Sequence, residues 1–535
     1  MLTHPTRRWL AGLGVAGALV AASAAPGHAA APAADLNIYL PDTTVAVKSD
    51  GKVISPLLSA AKPVVLDGAT VRYDYRGLAG KATVKADGEG CSSPAEGVLV
   101  CAEASPVGLD DWGLQGLFKV SIAPTGAAQD GDTGEIKVTL TADGHSPATH
   151  TAQVRVGGAA NLSAGGPQPV EASLAPGEKT STQMTLINIT AGRLDGVVAV
   201  FDHDRAIQPG EKHRNCTYDG DQIRTCSWGR DTFPRGNIWA AFMPWQVRKD
   251  AYAPGSAHAS YTWFTTAEFE DYKAYLDHIG VSTGTPGKGY ELGLLPTQTN
   301  PDPNSLQADP DPSDNTGTVD ITITGKNGAD LAAVGGSVTG KANAVVKAIV
   351  GVKNNGPASL DFGRSGNPIT RVDVTVPAGA TAVDVPDTCA PFDGRTADQQ
   401  DAGKPGAKAY RCETGTYLAT GTRQTFTFGL RVDQVVPNST GAVTINATCE
   451  CDGFTKDTNP ANDTAKLVLN PAGAGGGTGP SGGEGDGQGG GDGDGGTLPI
   501  TGSPTTLIAG AGGLLLVAGA AGYLVARRRR TNFVA

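Results

Sequence analysis

Thr425-Phe426-Thr427-Phe428-Gly429-Leu430 sets its apolar side chains at every second position, so they share one face of an extended strand and the threonines share the other. Val319-Asp320-Ile321-Thr322-Ile323 and Val443-Thr444-Ile445 repeat the pattern on either side of it. The same alternation recurs far upstream, in Leu36-Asn37-Ile38-Tyr39-Leu40, Thr70-Val71-Arg72-Tyr73-Asp74-Tyr75 and Glu135-Ile136-Lys137-Val138-Thr139-Leu140. Gly, Pro, Asp and Ser punctuate these runs at short intervals. Short alternating strands at this spacing predict a mainly β protein made of several immunoglobulin-like β-sandwich modules in tandem.

At 535 residues the chain has room for three or four such modules. The first is expected over 35–158 and the second over 159–297. The second opens with the alternating Thr182-Gln183-Met184-Thr185-Leu186, although Ile187 beside Leu186 blurs which face is buried. It also carries the one short helix, expected over 265–279. Thr265 and Glu268 form a capping box, and Phe269, Tyr272, Leu276 and Ile279 recur at helical spacing before Gly280. That stripe is expected to pack on a sheet. Residues 298–315 contain Asn300-Pro301-Asp302-Pro303 and Asp309-Pro310-Asp311-Pro312, the composition of a solvated Pro/Asp linker. Calcium is the rival reading for these aspartates. Counted from Asp309, however, the sixth and twelfth positions are Asp314 and Asp320, not the glycine and glutamate of an EF-hand loop. The third module is expected over 316–471. A Gly-rich stretch over 472–497 cannot bury a core and is expected to be a flexible stalk, about 30 Å long as a coil and about 90 Å if extended.

Eight cysteines fall into four local sets: Cys91 with Cys101, Cys216 with Cys226, Cys389 with Cys412, and Cys449 with Cys451. An even count in an exported chain reads as disulfides, with connectivity open and the last pair strained over one residue. Zinc is the alternative, but no Cys-x-x-Cys occurs and no histidine lies at ligand spacing, so no metal is expected.

The two ends decide where the chain goes. Arg7 and Arg8 precede an apolar run to Ala25, and Gly27-His28-Ala29 supplies a small-x-small cleavage pattern, so 1–29 reads as a signal peptide. Thr6-Arg7-Arg8-Trp9-Leu10 leaves the general and twin-arginine export routes both open. At the other end Leu498-Pro499-Ile500-Thr501-Gly502 is followed by an apolar run from Leu507 to Ala526, long enough to span a bilayer as a transmembrane helix, and then by Arg527 to Arg530. This order, over 498–535, resembles the sorting signal of LPXTG cell-wall-anchored surface proteins of Gram-positive bacteria. The resemblance implies that a sortase, a transient partner, cleaves after Thr501 and joins its carboxyl covalently to peptidoglycan. Removing both ends takes away six arginines and no carboxylate, which makes the mature body six charges more negative than the chain's formal −11. Such an acidic exterior disfavours nucleic acid as a partner. Val352 to Pro357, Val372 to Pro377 and Asp457 to Asp463 resemble the repeat-type β-sandwich modules of bacterial surface proteins, which implies a spacer or ligand-binding role.

Catalytic chemistry is sparse. No His-Glu-x-x-His and no phosphate-binding glycine loop occurs, and no cofactor is implied. His203, between Asp202 and Asp204, reads as a polar turn. Glu268, Glu270 and Asp271 could serve glycoside hydrolysis, but read first as charges on the outer face of the helix. Trp228, Trp239, Trp245 and Trp263 are candidates for stacking on sugar rings, but read first as filling the core of the second module. The sequence therefore predicts a non-enzymatic, secreted, wall-anchored structural or adhesive protein. Carbohydrate binding through those tryptophans is the alternative, a surface hydrolase the remote one, and a glycan or protein ligand stays open.

Overall fold

The computed structural model describes residues 35–472, apart from 111–112, 167–168, 191, 296–297, 300–301, 303 and 447–455, and only the backbone at 298–299. The signal peptide, Cys449 and Cys451, the stalk after Ala472 and the whole sorting signal with its apolar span lie outside the described residues.

What is described is mainly β, with one α-helix, Thr266–His278. Three modules repeat one six-stranded sheet. In the first, the order is Thr43–Ala46, Ala148–Ala159, Thr133–Thr141, Thr70–Asp74, Val98–Ala102, Cys91–Ala95. In the second it is Val170–Leu174, Thr316–Asn327, Ala253–Thr265, Val197–His203, Gln222–Ser227, Cys216–Asp219, with a seventh strand, Thr285–Pro286, added beyond Cys216–Asp219. In the third it is Gly336–Val338, Thr464–Leu469, Ser439–Ile445, Arg371–Thr375, Ala409–Glu413, Cys389–Pro391. In every case the first strand in this order runs parallel to its neighbour, and all other neighbours along the order are antiparallel.

The same end of each sheet carries a disulfide. Cys91–Cys101, Cys216–Cys226 and Cys389–Cys412 join direct cross-strand partners, on the outermost strand pair in the first and third modules and one strand in from Thr285–Pro286 in the second. Their Cα atoms lie 4.0, 3.9 and 3.9 Å apart. A covalent bond at an edge restrains the pair of strands with fewest neighbours. Opposite each six-stranded sheet lies a second layer, such as Leu331–Val334, Val345–Asn354, Arg423–Val432 and Ala380–Asp384 in the third module. The alternation quoted above delivers this: Phe426, Phe428 and Leu430 are buried in a core shared with Val350, Val374 and Tyr410. In the second module Met184 and Leu186 point inward and Ile187 falls on the outer side.

Two boundaries differ from the expectation. Thr316–Asn327, expected to open the third module, pairs with Ala253–Thr265 and Val170–Leu174 and so closes the second. Its alternation marks a strand but cannot name the partner sheet. Residues 298–315 are not wholly a solvated spacer either. Gln307–Ala308 extends the sheet of the first module beyond Gly158 and Ala159, and Asp309 is 1% exposed. The strand is gripped closely: a Cβ at Gly157 would lie 1.5 Å from the carbonyl oxygen of Leu306.

Candidate functional site

The helix forms where the sequence places it. Thr265 accepts from the Glu268 amide, the Glu268 carboxylate returns to the Thr265 amide, and Gly280 ends the run with φ +71°. Its apolar stripe does not simply cover a sheet. Tyr272, Tyr275 and Leu276 are buried, Phe269 and Ile279 half-buried, and they pack against Tyr39 and Leu57 of the first module as well as Val200 of the second. Tyr39 stacks on His278 with ring centroids 3.8 Å apart. The helix is therefore a wedge between two modules.

Two of its carboxylates, Glu268 and Asp271, take part in the joint, contrary to the outer-face expectation, while Glu270 is exposed as expected. Glu268 is ion-paired to Lys52 and accepts from the Asp309 amide at 2.9 Å. Asp271 is ion-paired to Arg155 and accepts from the Thr44 hydroxyl at 2.7 Å. Burial nevertheless holds Asp271 above the usual carboxylate range, against the pull of Arg155 and Thr44. Asp309 is pushed up to about 7, by burial first and by neighbouring Glu268 second, while its oxygens accept from the Leu162 and Asp311 amides.

Between helix, first module and the 311–315 segment lies a cavity of about 510 Å³, lined by Glu268, Asp271, Lys52, Phe264, Tyr272 and Asn315 among others. Both helix carboxylates required by the hydrolase reading face it, and both are engaged in ion pairs and hydrogen bonds. A smaller cavity of about 320 Å³ marks the junction of second and third modules. There Ser359 donates to Asp250 at 2.7 Å, Arg364 is ion-paired to Asp204, and the Arg205 guanidinium lies 4.7 Å from the Tyr417 ring centre.

The tryptophans are not a binding face. Trp228, Trp239, Trp245 and Trp263 are at most 2% exposed and sit in the core of the second module. Three of the indole N–H groups are satisfied internally, by Leu292 carbonyl, Thr182 hydroxyl and Thr185 carbonyl. The structure thus corrects the stacking reading in favour of core packing.

His203 is corrected too. It ends the strand Val197–His203, is buried against Trp245, and accepts from the Ile223 amide through Nε2 while Nδ1–H donates to the Asp204 carbonyl. Burial drives its pKa down to about 4, so it serves as a neutral structural linchpin. Among the described residues no group of His, Cys, Asp and Glu could hold a metal ion.

No family model and no curated protein matches the chain. Similar solved structures include a Corynebacterium diphtheriae protein described as membrane anchored, 10% identical over 81% of this chain and 91% of that one, with a TM-score of 0.15. Others are a three-immunoglobulin-domain piece of titin (7% identity, 82% and 99% coverage, TM-score 0.14) and Drosophila OTK extracellular domains 3–5 (11%, 83% and 99%, 0.12). At such scores the fold rests on the strand pairing described above.

Proposed function

We propose that the chain is an exported surface protein whose three-module body is displayed from the cell wall in a structural or adhesive role, fixed to peptidoglycan by a sortase at Thr501. The observation that carries this is the order, in the sequence, of Leu498 to Gly502, the apolar run 507–526 and the four arginines from Arg527. Three disulfides support an oxidising, extracellular setting for the body. Joints closed by ion pairs suit a body that must hold its modules in line above a flexible tether. The role is non-enzymatic in this reading. Fractionation of cells carrying Thr501→Ala tests it: the variant is expected to move from the muramidase-released wall fraction to the membrane. Unchanged wall attachment of the variant overturns the reading.

A further inference from the structure

We propose that the cavity between the first and second modules is a binding site for a hydroxyl-rich ligand of mono- to disaccharide size. The inference concerns the body alone and stands whether or not Thr501 is anchored. A volume of about 510 Å³ lies in the range of about 300–1,000 Å³ usual for small-molecule sites.

The lining selects the chemistry. Val53, Ile54, Phe264 and Pro312 give an apolar wall. Two charge pairs at the cavity close within the protein, Glu268 with Lys52 and Asp271 with Arg155, while Asp42, Asp87, Asp311 and Lys119 also line it. Hydrogen-bonding capacity remains. Lys52 has three ammonium donors and gives one to Glu268. Asn315 is 1% exposed, lines the cavity, and its Oδ1 has no partner among the described residues. A buried acceptor left unmet is unfavourable by about 1–3 kcal/mol, which a donor from a ligand would recover. The ligand must therefore accept from an ammonium and donate to an amide oxygen while laying carbon against an aromatic wall. A hydroxyl does both, and a pyranose ring joins several hydroxyls to an apolar C–H face. Of the four core tryptophans Trp263 reaches this lining, and its indole N–H is already given to the Thr185 carbonyl.

The test is saturation-transfer NMR with calorimetry on the full-length protein in a sugar-free detergent, using cellobiose, maltose and N,N′-diacetylchitobiose up to about 10 mM. At least one is expected to saturate, with Asn315→Ala weakening it about tenfold. Val53, 47% exposed at the lining, is the place to block the cavity: Val53→Trp is expected to abolish binding with the melting temperature unchanged. No saturation by any of the three, or affinity untouched by Val53→Trp, would overturn the proposal.

Discussion

Glu268 uses one carboxylate oxygen on its own helix and the other on a different module: Oε2 accepts from the Thr265 hydroxyl at 2.8 Å and its amide at 3.1 Å, while Oε1 receives Lys52. Helix formation and module docking therefore share one side chain. Glu268→Ala removes both, and leaves Lys52 facing a cavity without its partner. The expected loss in urea unfolding is about 3 kcal/mol, of which capping accounts for about 1 kcal/mol. Glu268→Gln keeps an acceptor for the cap and should lose less. A loss below about 1 kcal/mol for the alanine variant contradicts this coupling.

Gly157 is a second contact point of the joint. Because a Cβ there would overlap the Leu306 carbonyl, Gly157→Ala must push the 306–309 segment off the strand Ala148–Ala159. Hydrogen exchange should then speed up at Ala160, whose amide donates to the Ala308 carbonyl at 2.9 Å, with the third module unaffected.

Asp309 gives the joint a pH dependence of definite sign. Its pKa is raised to about 7 in the fold, whereas the unfolded chain ionises near 3.8. Stability from the protonated form is complete below about 4 and lost as pH rises to about 7, by up to about 4 kcal/mol. Glu268 faces the group and adds to the shift; Asn315 and the Leu162 and Asp311 amides oppose it. Asp309→Asn should flatten the slope of unfolding free energy between pH 4 and 7. A slope equal to the wild type's contradicts the assignment.

His203 works in the opposite direction. Held near 4 in the fold against 6.5 unfolded, it contributes stability present above about 6.5 and lost as pH falls through about 4, worth up to about 3 kcal/mol. His203→Gln should remove that acid loss, read as melting temperature between pH 7 and 4, and leave the Asp309 slope in place.

Single-tryptophan variants retaining Trp228, Trp239, Trp245 or Trp263 should all resist acrylamide quenching, since each is buried. Trp239→Ala should destabilise the body by about 3–5 kcal/mol without altering sugar affinity. Strong quenching of two or more would restore the exposed-face reading.

Much of this architecture was legible in the chain. Period-two alternation located strands such as Thr425 to Leu430, and the Thr265–Glu268 box located the helix to within a residue at each end. Such signals are local. Which sheet a strand joins is not, so Thr316–Asn327 was assigned one module too late although its inward residues were right. The joint was hidden for the same reason: Lys52 and Arg155 lie more than one hundred residues from the carboxylates they meet. Helical spacing put Glu268 and Asp271 off the apolar stripe, and only a second module could bury them. The repeated disulfide position, three times between direct cross-strand partners at the same end of the sheet, offered a trace in the local cysteine sets but needed the register to be read.

The central claim is covalent display through Thr501, and mass spectrometry of muramidase-solubilised walls tests it most directly. The account predicts a C-terminal peptide of the protein ending at Thr501 and carrying the mass of a wall peptide on its carboxyl. A peptide that continues through Gly502 into the apolar run, recovered from the membrane in place of the wall, would contradict it.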